Sequence, residues 1–468
     1  MLKKGIYILG LFLVLSGCQS IEKPKQIFAK PLPALIEFKP GERIMILAPH
    51  PDDEAIACAG IIQQALKVGA KVKIVYLTNG DHNELAFIVY EKRLTFRRGE
   101  FIYMGQVRQK ESIRAMQFLG LQAKDLVFLG YPDYGTFNIF SQYWQTAKPF
   151  RDRLTRISSV PYRQNPSYGA PYYGENILHD LTNQIRDYQP DKIFVSHPAD
   201  VNADHKSLYL FLQIALSDLE ASINAPQVYP YLVHCVGWPK PRHYHPELGL
   251  SPPEKYRDSD LTWERYNLSS SELDKKYQAI LFYKSQTQSS AFYLFSFARE
   301  NELFGDYPVL ELKAQSKLNL KLTEYSGAQA LERATAETEE IRLEDALEYS
   351  GQVSFAKEDN NFIVRLDRPK QLSKNFGVLL YVFGYNHQIP FAQMPKISII
   401  TAGNKYKVFN LRQKVLNSGV SLEFAKYALI LKIPLPLLGE PDYLLTSLKA
   451  YHGRLPIDVV GFRKIKLK

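Results

Sequence analysis

"RIMILAPHPDDEAIACAGII", Arg43 to Ile62, sets an apolar run against a charged turn and follows the turn with a second apolar run. Ile44 to Ala48 offers no polar side chain, which suits a strand covered on both faces. The second run reads as a helix starting near Asp53 or Glu54. Between them, "PHPDDE" crowds His50, Asp52, Asp53 and Glu54 into one turn. Carboxylates this close repel one another unless water or a positive group offsets them. The turn is a solvated acidic bend or half of a metal site, and the rest of the chain has to supply the other half.

Three further stretches repeat the pattern of a buried strand ending in an acidic residue. They are "KVKIVYLTNGD" (Lys71 to Asp81), "DLVFLGYPD" (Asp125 to Asp133) and "DKIFVSHPAD" (Asp191 to Asp200). Helical patterns lie between them, among them "ESIRAMQFLG", which closes on Gly120. Alternation of this kind predicts an α/β fold, a Rossmann-like layered domain with a mainly parallel sheet. Open sheets of that class bind ligands beyond the carboxyl ends of their strands. The four acidic strand ends are therefore expected on one rim.

Beyond about residue 311 the periodicity changes. "NFIVRLD", "FGVLLYVF", "KISIITAG", "YALILKIPL" and "DVVGFRKIKL" are short strands separated by turns, without helical spacers. This predicts a C-terminal antiparallel β-sandwich. The expected organisation is a leader over 1–18, a tether over 19–40, the α/β domain over 41–310, a polar linker over 311–350 that merges into a helix or edge strand, and the sandwich over 351–468.

The chemistry centres on the turn. A strand ending at His50 and a helix starting near Asp53 let an imidazole and a carboxylate face one point. Zinc accepts both ligand types, and catalytic zinc sites use three protein ligands. "SHPADVNADH" supplies the third as His205, preceded by Asp204, which is placed to cap the helix "HKSLYLFLQIAL". On this reading His50, Asp53 and His205 hold the metal, and Asp52 is left free to act as a base. Glu54 supports the helix start through the dipole or a hydrogen bond behind the ligands.

These residues resemble the PIG-L/LmbE family of zinc-dependent N-deacetylases. The resemblance runs from Ile44 to Gln286 and includes "PHPDDE", "TNGD", Arg108 with Glu111, Leu119 and Gly120, "LGYPD", the later "DH" and "KSQ" at Lys284. It implies removal of acetyl groups from N-acetylglucosaminyl substrates. It also implies zinc bound by His50, Asp53 and His205, with Asp52 as general base, the roles the spacing had already suggested. Some family members carry a histidine three residues before the last ligand, where this chain has Asn202. An amide can donate to an oxyanion but cannot shuttle a proton. His234, after a strand and before a glycine turn, is the first candidate to assist, and His197 the second.

Arg108 is either a substrate contact, as the resemblance suggests, or the partner of Glu111 at helical spacing. Asp81, Asp133 and Asp200 read as loop caps or supports for the ligands. The aromatic and basic stretch Tyr143 to Gly174 is a lid, a sugar-stacking wall or a packed excursion.

The first residues, "MLKKGIYILGLFLVLSGCQS", pair Lys3 and Lys4 with an apolar stretch too short to span a bilayer comfortably. "LSGC" resembles a bacterial lipobox with Cys18 as the lipidated residue, which implies export and a membrane tether, the outer membrane favoured by Gln19. Cys58 and Cys235 then remain, and are expected as small buried residues. At 46% apolar and 23% charged, the composition is that of a globular protein, and the net charge of +10 reads as generic surface charge before an affinity for anionic surfaces. No basic block carries the aromatic signals of a nucleic-acid module. The expected function is hydrolysis of an N-acetyl group on a glycan or glycoconjugate, with zinc or another divalent metal as cofactor. Two alternatives are an amidase for another N-acyl substrate and a glycan-binding lipoprotein without turnover, the latter suggested by Asn202.

Overall fold

A computed structural model describes residues 37–82, 98–256, 261–312, 317–321, 352–369, 371–453 and 455–467. Cys18, the leader and most of the linker lie outside the described residues.

The chain begins with β1 (Arg43–Ala48), α1 (Asp53–Lys67), β2 (Lys71–Thr78), α2 (Arg98–Phe118) and β3 (Leu126–Tyr131). It continues through α3 (Thr136–Gln142), α4 (Gly174–Tyr188), β4 (Lys192–Ser196), α5 (Ala203–Asp218) and β5 (Gln227–Tyr231). Then follow β6 (Trp263–Asn267), α6 (Ser270–Ile280), α7 (Lys284–Leu294) and β7 (Asn301–Gly305). The strands form a seven-stranded sheet in the order β3-β2-β1-β4-β5-β7-β6. The first five run parallel, with Ile46 beside Ile74 on one side and Phe194 on the other, and β7 and β6 close the edge antiparallel.

β1 shows why its sequence is almost wholly apolar. Ile44, Ile46 and Ala48 enter one core layer, while Met45 and Leu47 enter the other, all without exposed surface. The helix of "ESIRAMQFLG" starts earlier than its periodicity suggests, at Arg98. Its upstream turns mix charged and apolar residues, and Gly105 leaves the space that Tyr162 fills. Packing, not pattern, extends it.

The second half builds a sandwich from β8 (Leu310–Leu312), β9 (Lys317–Lys321), β10 (Gln352–Glu358), β11 (Asn361–Asp367), β12 (Phe376–Tyr385) and β13 (Lys396–Ala402). It is completed by β14 (Lys405–Asn410), β15 (Gln413–Val415), β16 (Ser421–Phe424), β17 (Ala428–Pro434), β18 (Tyr443–His452) and β19 (Leu455–Leu467). A five-stranded sheet, β16-β17-β11-β10-β9, faces a seven-stranded one, β15-β14-β13-β12-β18-β19-β8. All pairings are antiparallel except β19 with β8. Val353, Phe355, Val364 and Leu366 of the first sheet and Leu380, Val382, Ile397 and Ile399 of the second fill the space between them. β8 and β9, at the start of the stretch read as a linker, are edge strands of these sheets.

The outer face of the seven-stranded sheet is apolar where it meets the α/β half. Phe140 of α3 touches Phe211 of α5, Phe383 of β12 and Phe391, at centroid distances of 4.9, 5.3 and 5.7 Å. The two halves therefore share one core layer.

Candidate metal centre

The parallel strand order reverses between β1 and β4, and in such sheets the crevice for a ligand opens there, beyond the carboxyl ends. His50 follows β1, and His205 stands in the first turn of α5, which follows β4. Asp53 opens α1, and its carboxylate accepts the backbone N–H of His50 at 3.0 Å, which folds the turn onto the helix start.

Asp53 Oδ2 lies 3.3 Å from His50 Nδ1 and 3.2 Å from His205 Nε2. Ligands about 2.0–2.1 Å from a tetrahedral zinc stand roughly 3.3 Å apart, so these separations fit a common cation. His205 is fully buried, and its Nε2 faces the Asp53 carboxylate across that centre. His234, from the loop after β5, brings a ring nitrogen into the same group, all four donor atoms lying within 4.8 Å of one another. Two imidazoles and a carboxylate are borderline donors that suit zinc, iron or cobalt.

Both histidines are held from behind by carboxylates, the arrangement that orients an imidazole able to bind a metal. His50 Nε2 faces Asp133 at 3.1 Å and Asp204 at 3.3 Å, and His205 Nδ1 faces Asp200 at 3.2 Å. Asp200 also accepts backbone N–H groups of Asn202, Val233 and His234, which ties the loop after β5 to the start of α5. Burial opposes charge on the His205 imidazole, but Asp200 and Asp53 outweigh it and carry its pKa up to about 9. His50 is likewise raised well above its usual value, its burial overcome by Asp133, Asp204 and Asp53. The centre is built to hold positive charge.

Asp52 stands at the mouth of the crevice rather than in the cradle. Its φ of +126° is a conformation that a residue with a side chain seldom adopts, and such strain collects at functional sites. Burial pushes its carboxyl up to about 7, with Arg108 opposing the rise and Asp53 adding to it. Arg108 donates to the carbonyls of Gly80 and Pro51 at 3.0 and 2.7 Å and lies 3.3 Å from Asp52 Oδ2. Gly80 of "TNGD", at φ +66°, has to be glycine, because a Cβ there would collide with the Arg108 guanidinium.

Several expected roles need correction. Arg108 does not pair with Glu111, because Glu111 turns to Ser285, accepting its N–H at 2.9 Å and its hydroxyl at 2.6 Å. Asp204 does not cap α5. Asn202 does, its Oδ1 accepting the Asp204 N–H at 2.8 Å, so the amide oxygen is engaged while the residue lines the crevice. Asp204 instead takes the N–H groups of Tyr134 and Thr136, at 2.6 and 3.1 Å, and the Thr136 hydroxyl, joining the loop after β3 to His50. His197 is fully buried, stacked on Trp263 at 5.5 Å and accepting the Ala199 N–H, and takes no place in the crevice. Glu54 is deeper than a helix-start support. It accepts the Tyr76 and Ser112 hydroxyls, the Tyr283 hydroxyl and the Asp52 N–H, and so anchors the strained turn from below.

The stretch Tyr143 to Gly174 is a packed excursion. Trp144, Val160, Tyr162 and Tyr172 are buried, and Tyr162 donates to Asp81 at 2.6 Å. Cys58 and Cys235 are both buried and are not joined in a disulfide. Sequence reasoning missed Tyr134, Thr136 and Tyr293. Tyr134 is 54% exposed at the crevice rim with φ +55°, and Tyr293 donates to the Val233 carbonyl beside His234. The only local hint was their place next to "LGYPD" and "KSQ". The crevice measures about 110 Å³. A larger groove of about 910 Å³, between α4, the end of α5 and the sandwich, contains none of these ligands.

Fold and donor set together define an α/β domain with a His–Asp–His cation cradle at its switch point. Residues 45–216 match the family model described as PIG-L, GlcNAc-PI de-N-acetylase. No curated protein matches the chain. Among solved structures it is similar to the N,N'-diacetylchitobiose deacetylase from Pyrococcus horikoshii, at 17% identity over 56% of this chain and 82% of that one, TM-score 0.34. It is similar to the A40926 pseudoaglycone deacetylase Dbv21, at 15% identity over 57% and 96%, TM-score 0.35. The 4-carboxy-2-hydroxymuconate hydratase GalB from Pseudomonas putida is similar at 17% identity over 57% and 98%, TM-score 0.35.

Proposed function

We propose that the protein hydrolyses the N-acetyl group of an N-acetylglucosamine-type glycan or glycoconjugate, with zinc in the cradle of His50, Asp53 and His205. The observation that carries the reading is the convergence of Nδ1, Oδ2 and Nε2 on one point with a further carboxylate, Asp52, lining the same crevice. A divalent cation held there supplies Lewis-acid polarisation of the amide carbonyl and makes a neighbouring water more acidic.

The chain's own groups do the rest. Asp52, with a pKa brought toward neutrality, takes the proton of the attacking water. The water oxygen adds to the carbonyl carbon, the C–N bond breaks, and Asp52 returns the proton to the departing amine, leaving acetate and a free amino sugar. His234 is kept neutral, because burial draws its pKa down to about 4. A neutral imidazole can donate one N–H to the developing oxyanion. Asn202 lines the same crevice and adds its amide, whose oxygen is already fixed by the helix cap.

The test is acetate release from N-acetylated oligosaccharides by zinc-loaded protein, with Asp52→Asn and His205→Ala alongside. Release by native protein, abolished in Asp52→Asn with zinc retained, supports the reading. No release from any amino-sugar substrate, or unchanged zinc in His205→Ala, sinks it. Export and a lipid on Cys18 belong to the same proposal, and mass analysis of the mature N-terminus tests them.

A further inference from the structure

The positive charge of this chain is segregated. Residues 351–468 hold 18 Lys and Arg against seven Asp and Glu, a net +11, whereas residues 1–350 sum to −1. The structure shows where part of that charge points.

Along β12, alternate side chains face outward, and three of them meet the α/β half in order. Tyr385 Oη donates to Asp218 at the C-terminal end of α5, at 2.9 Å. Phe383 meets Phe140 at 5.3 Å. Tyr381 meets Phe137 at 5.4 Å, next to Thr136, whose hydroxyl bonds Asp204 at the other end of α5. The direction from Tyr385 to Tyr381 is thus the direction from the far end of α5 to the metal cradle. The next outward positions, Leu379 and Gly377, continue it, reaching about 20 and 26 Å from Tyr385 at roughly 3.3 Å per residue. Helix α5 itself is about 24 Å long. The end of the sheet therefore stands level with the catalytic mouth.

At that level the outer face is no longer covered by the α/β half. Leu379 pairs with Ile400, and Ile400 with Lys407; one row further on, Ala402 pairs with Lys405. Lys405 and Lys407 are exposed, and Ile400, directly across from Lys407 on the neighbouring strand, is 46% exposed. Exposed Lys374 joins the same end, its carbonyl 3.0 Å from where a Cβ on Gly403 would sit, and exposed Lys414 lies across from Phe409.

We propose that this basic strip holds an anionic glycan chain, one bearing carboxylate or phosphate groups, whose N-acetylated sugar enters the mouth. The proposal rests on the deacetylase reading and narrows its substrate to acidic polymers. Lysines at alternate strand positions offer separated positive charges, and Ile400, across from Lys407, offers an adjacent apolar spot for the face of a sugar ring. An extended polymer is the partner that reaches strip and mouth together.

The experiment uses the full chain and the double variant Lys405→Glu/Lys407→Glu. The probes are a polymer alternating N-acetylglucosamine with glucuronic acid, an uncharged N-acetylglucosamine pentamer, and phosphatidylglycerol vesicles. The variant should bind the acidic polymer roughly tenfold more weakly at low salt, with the difference fading near about 0.5 M salt, where screening acts within about 4 Å. Pentamer binding and acetate release from the pentamer should match native protein, which also shows the variant is folded. Unchanged binding of the acidic polymer, or a loss seen on the vesicles and not on the polymer, overturns the proposal. Because binding is read without turnover, a protein that holds the polymer through these lysines but releases no acetate overturns the deacetylase reading and leaves the strip standing.

Discussion

Arg108 Nη2 lies 3.3 Å from Asp52 Oδ2 and donates at 2.7 Å to the carbonyl of Pro51, so one guanidinium holds both the Asp52 carboxylate and the strained backbone that carries it. Its charge favours the ionised carboxylate, the form that accepts a proton. Arg108→Ala should therefore move the acid limb of the kcat/KM profile to higher pH and lower the plateau at least about tenfold. A profile that falls in height without moving would show that Arg108 only shapes the loop.

On the proposed reading, zinc and protons compete for the cradle. Ligating histidines must be neutral, and His205 keeps its proton up to a pH of about 9 in the metal-free protein. Zinc affinity should rise steadily from pH 6 to about 9, with protons released on binding. Calorimetry in buffers of different ionisation enthalpy reads that release, and a pH-independent affinity would remove the cradle as assigned.

His234 and His197 separate a reacting histidine from a structural one. His234→Ala should cost about 10²–10³ in kcat, the scale of a lost oxyanion donor, with the fold intact. His197→Ala should lower the melting temperature, because its ring stacks on Trp263, yet leave kcat close to native. Equal losses of activity in the two variants would contradict the division.

Phe140 joins the two halves of the chain through Phe211, Phe383 and Phe391. Phe140→Ala should cost about 3–5 kcal/mol of stability, measured by denaturant unfolding. A change within experimental error would mean that the halves are held together elsewhere.

Lys464 gives the same interface a pH dependence. It sits 3.4 Å from Gln213 Oε1 and Ser217 Oγ of α5, and burial, with Lys466 nearby, draws its pKa down to about 8. The unfolded chain binds its proton more tightly, so the charged lysine is a penalty below pH 8 that is relieved between 8 and about 10.5. Lys464→Met should be more stable than native protein at pH 7, with the gap narrowing by pH 10. A gap that widened with pH would contradict a buried charge penalty at Lys464.

How much of this was legible in the sequence can be followed residue by residue. The α/β class was legible because β1 to β4 are covered on both faces, and a strand without a polar face leaves an unbroken apolar run. The cradle was legible because His50 and Asp53 lie within one turn and His205 opens a helix, positions fixed by local chain geometry. The role of Asp204 was not, since a residue next to a helix start looks like a cap whichever neighbour makes the bond. Nor was the partner of Glu111, which stands 174 residues away at Ser285, while the helical spacing pointed to Arg108.

By itself, the sequence determined the strand-turn-helix that presents the ligands, the residue types in the cradle and the change from layered α/β to sandwich. Those features come from backbone periodicity and from chemistry packed into a few consecutive positions. Only the tertiary structure decided that Arg108 braces Asp52, that Asp204 ties the loop after β3 to His50, and that β12 follows α5 from Asp218 toward its cradle end. These depend on contacts between segments far apart in the chain, and on the direction in which two packed elements run, which no local pattern records.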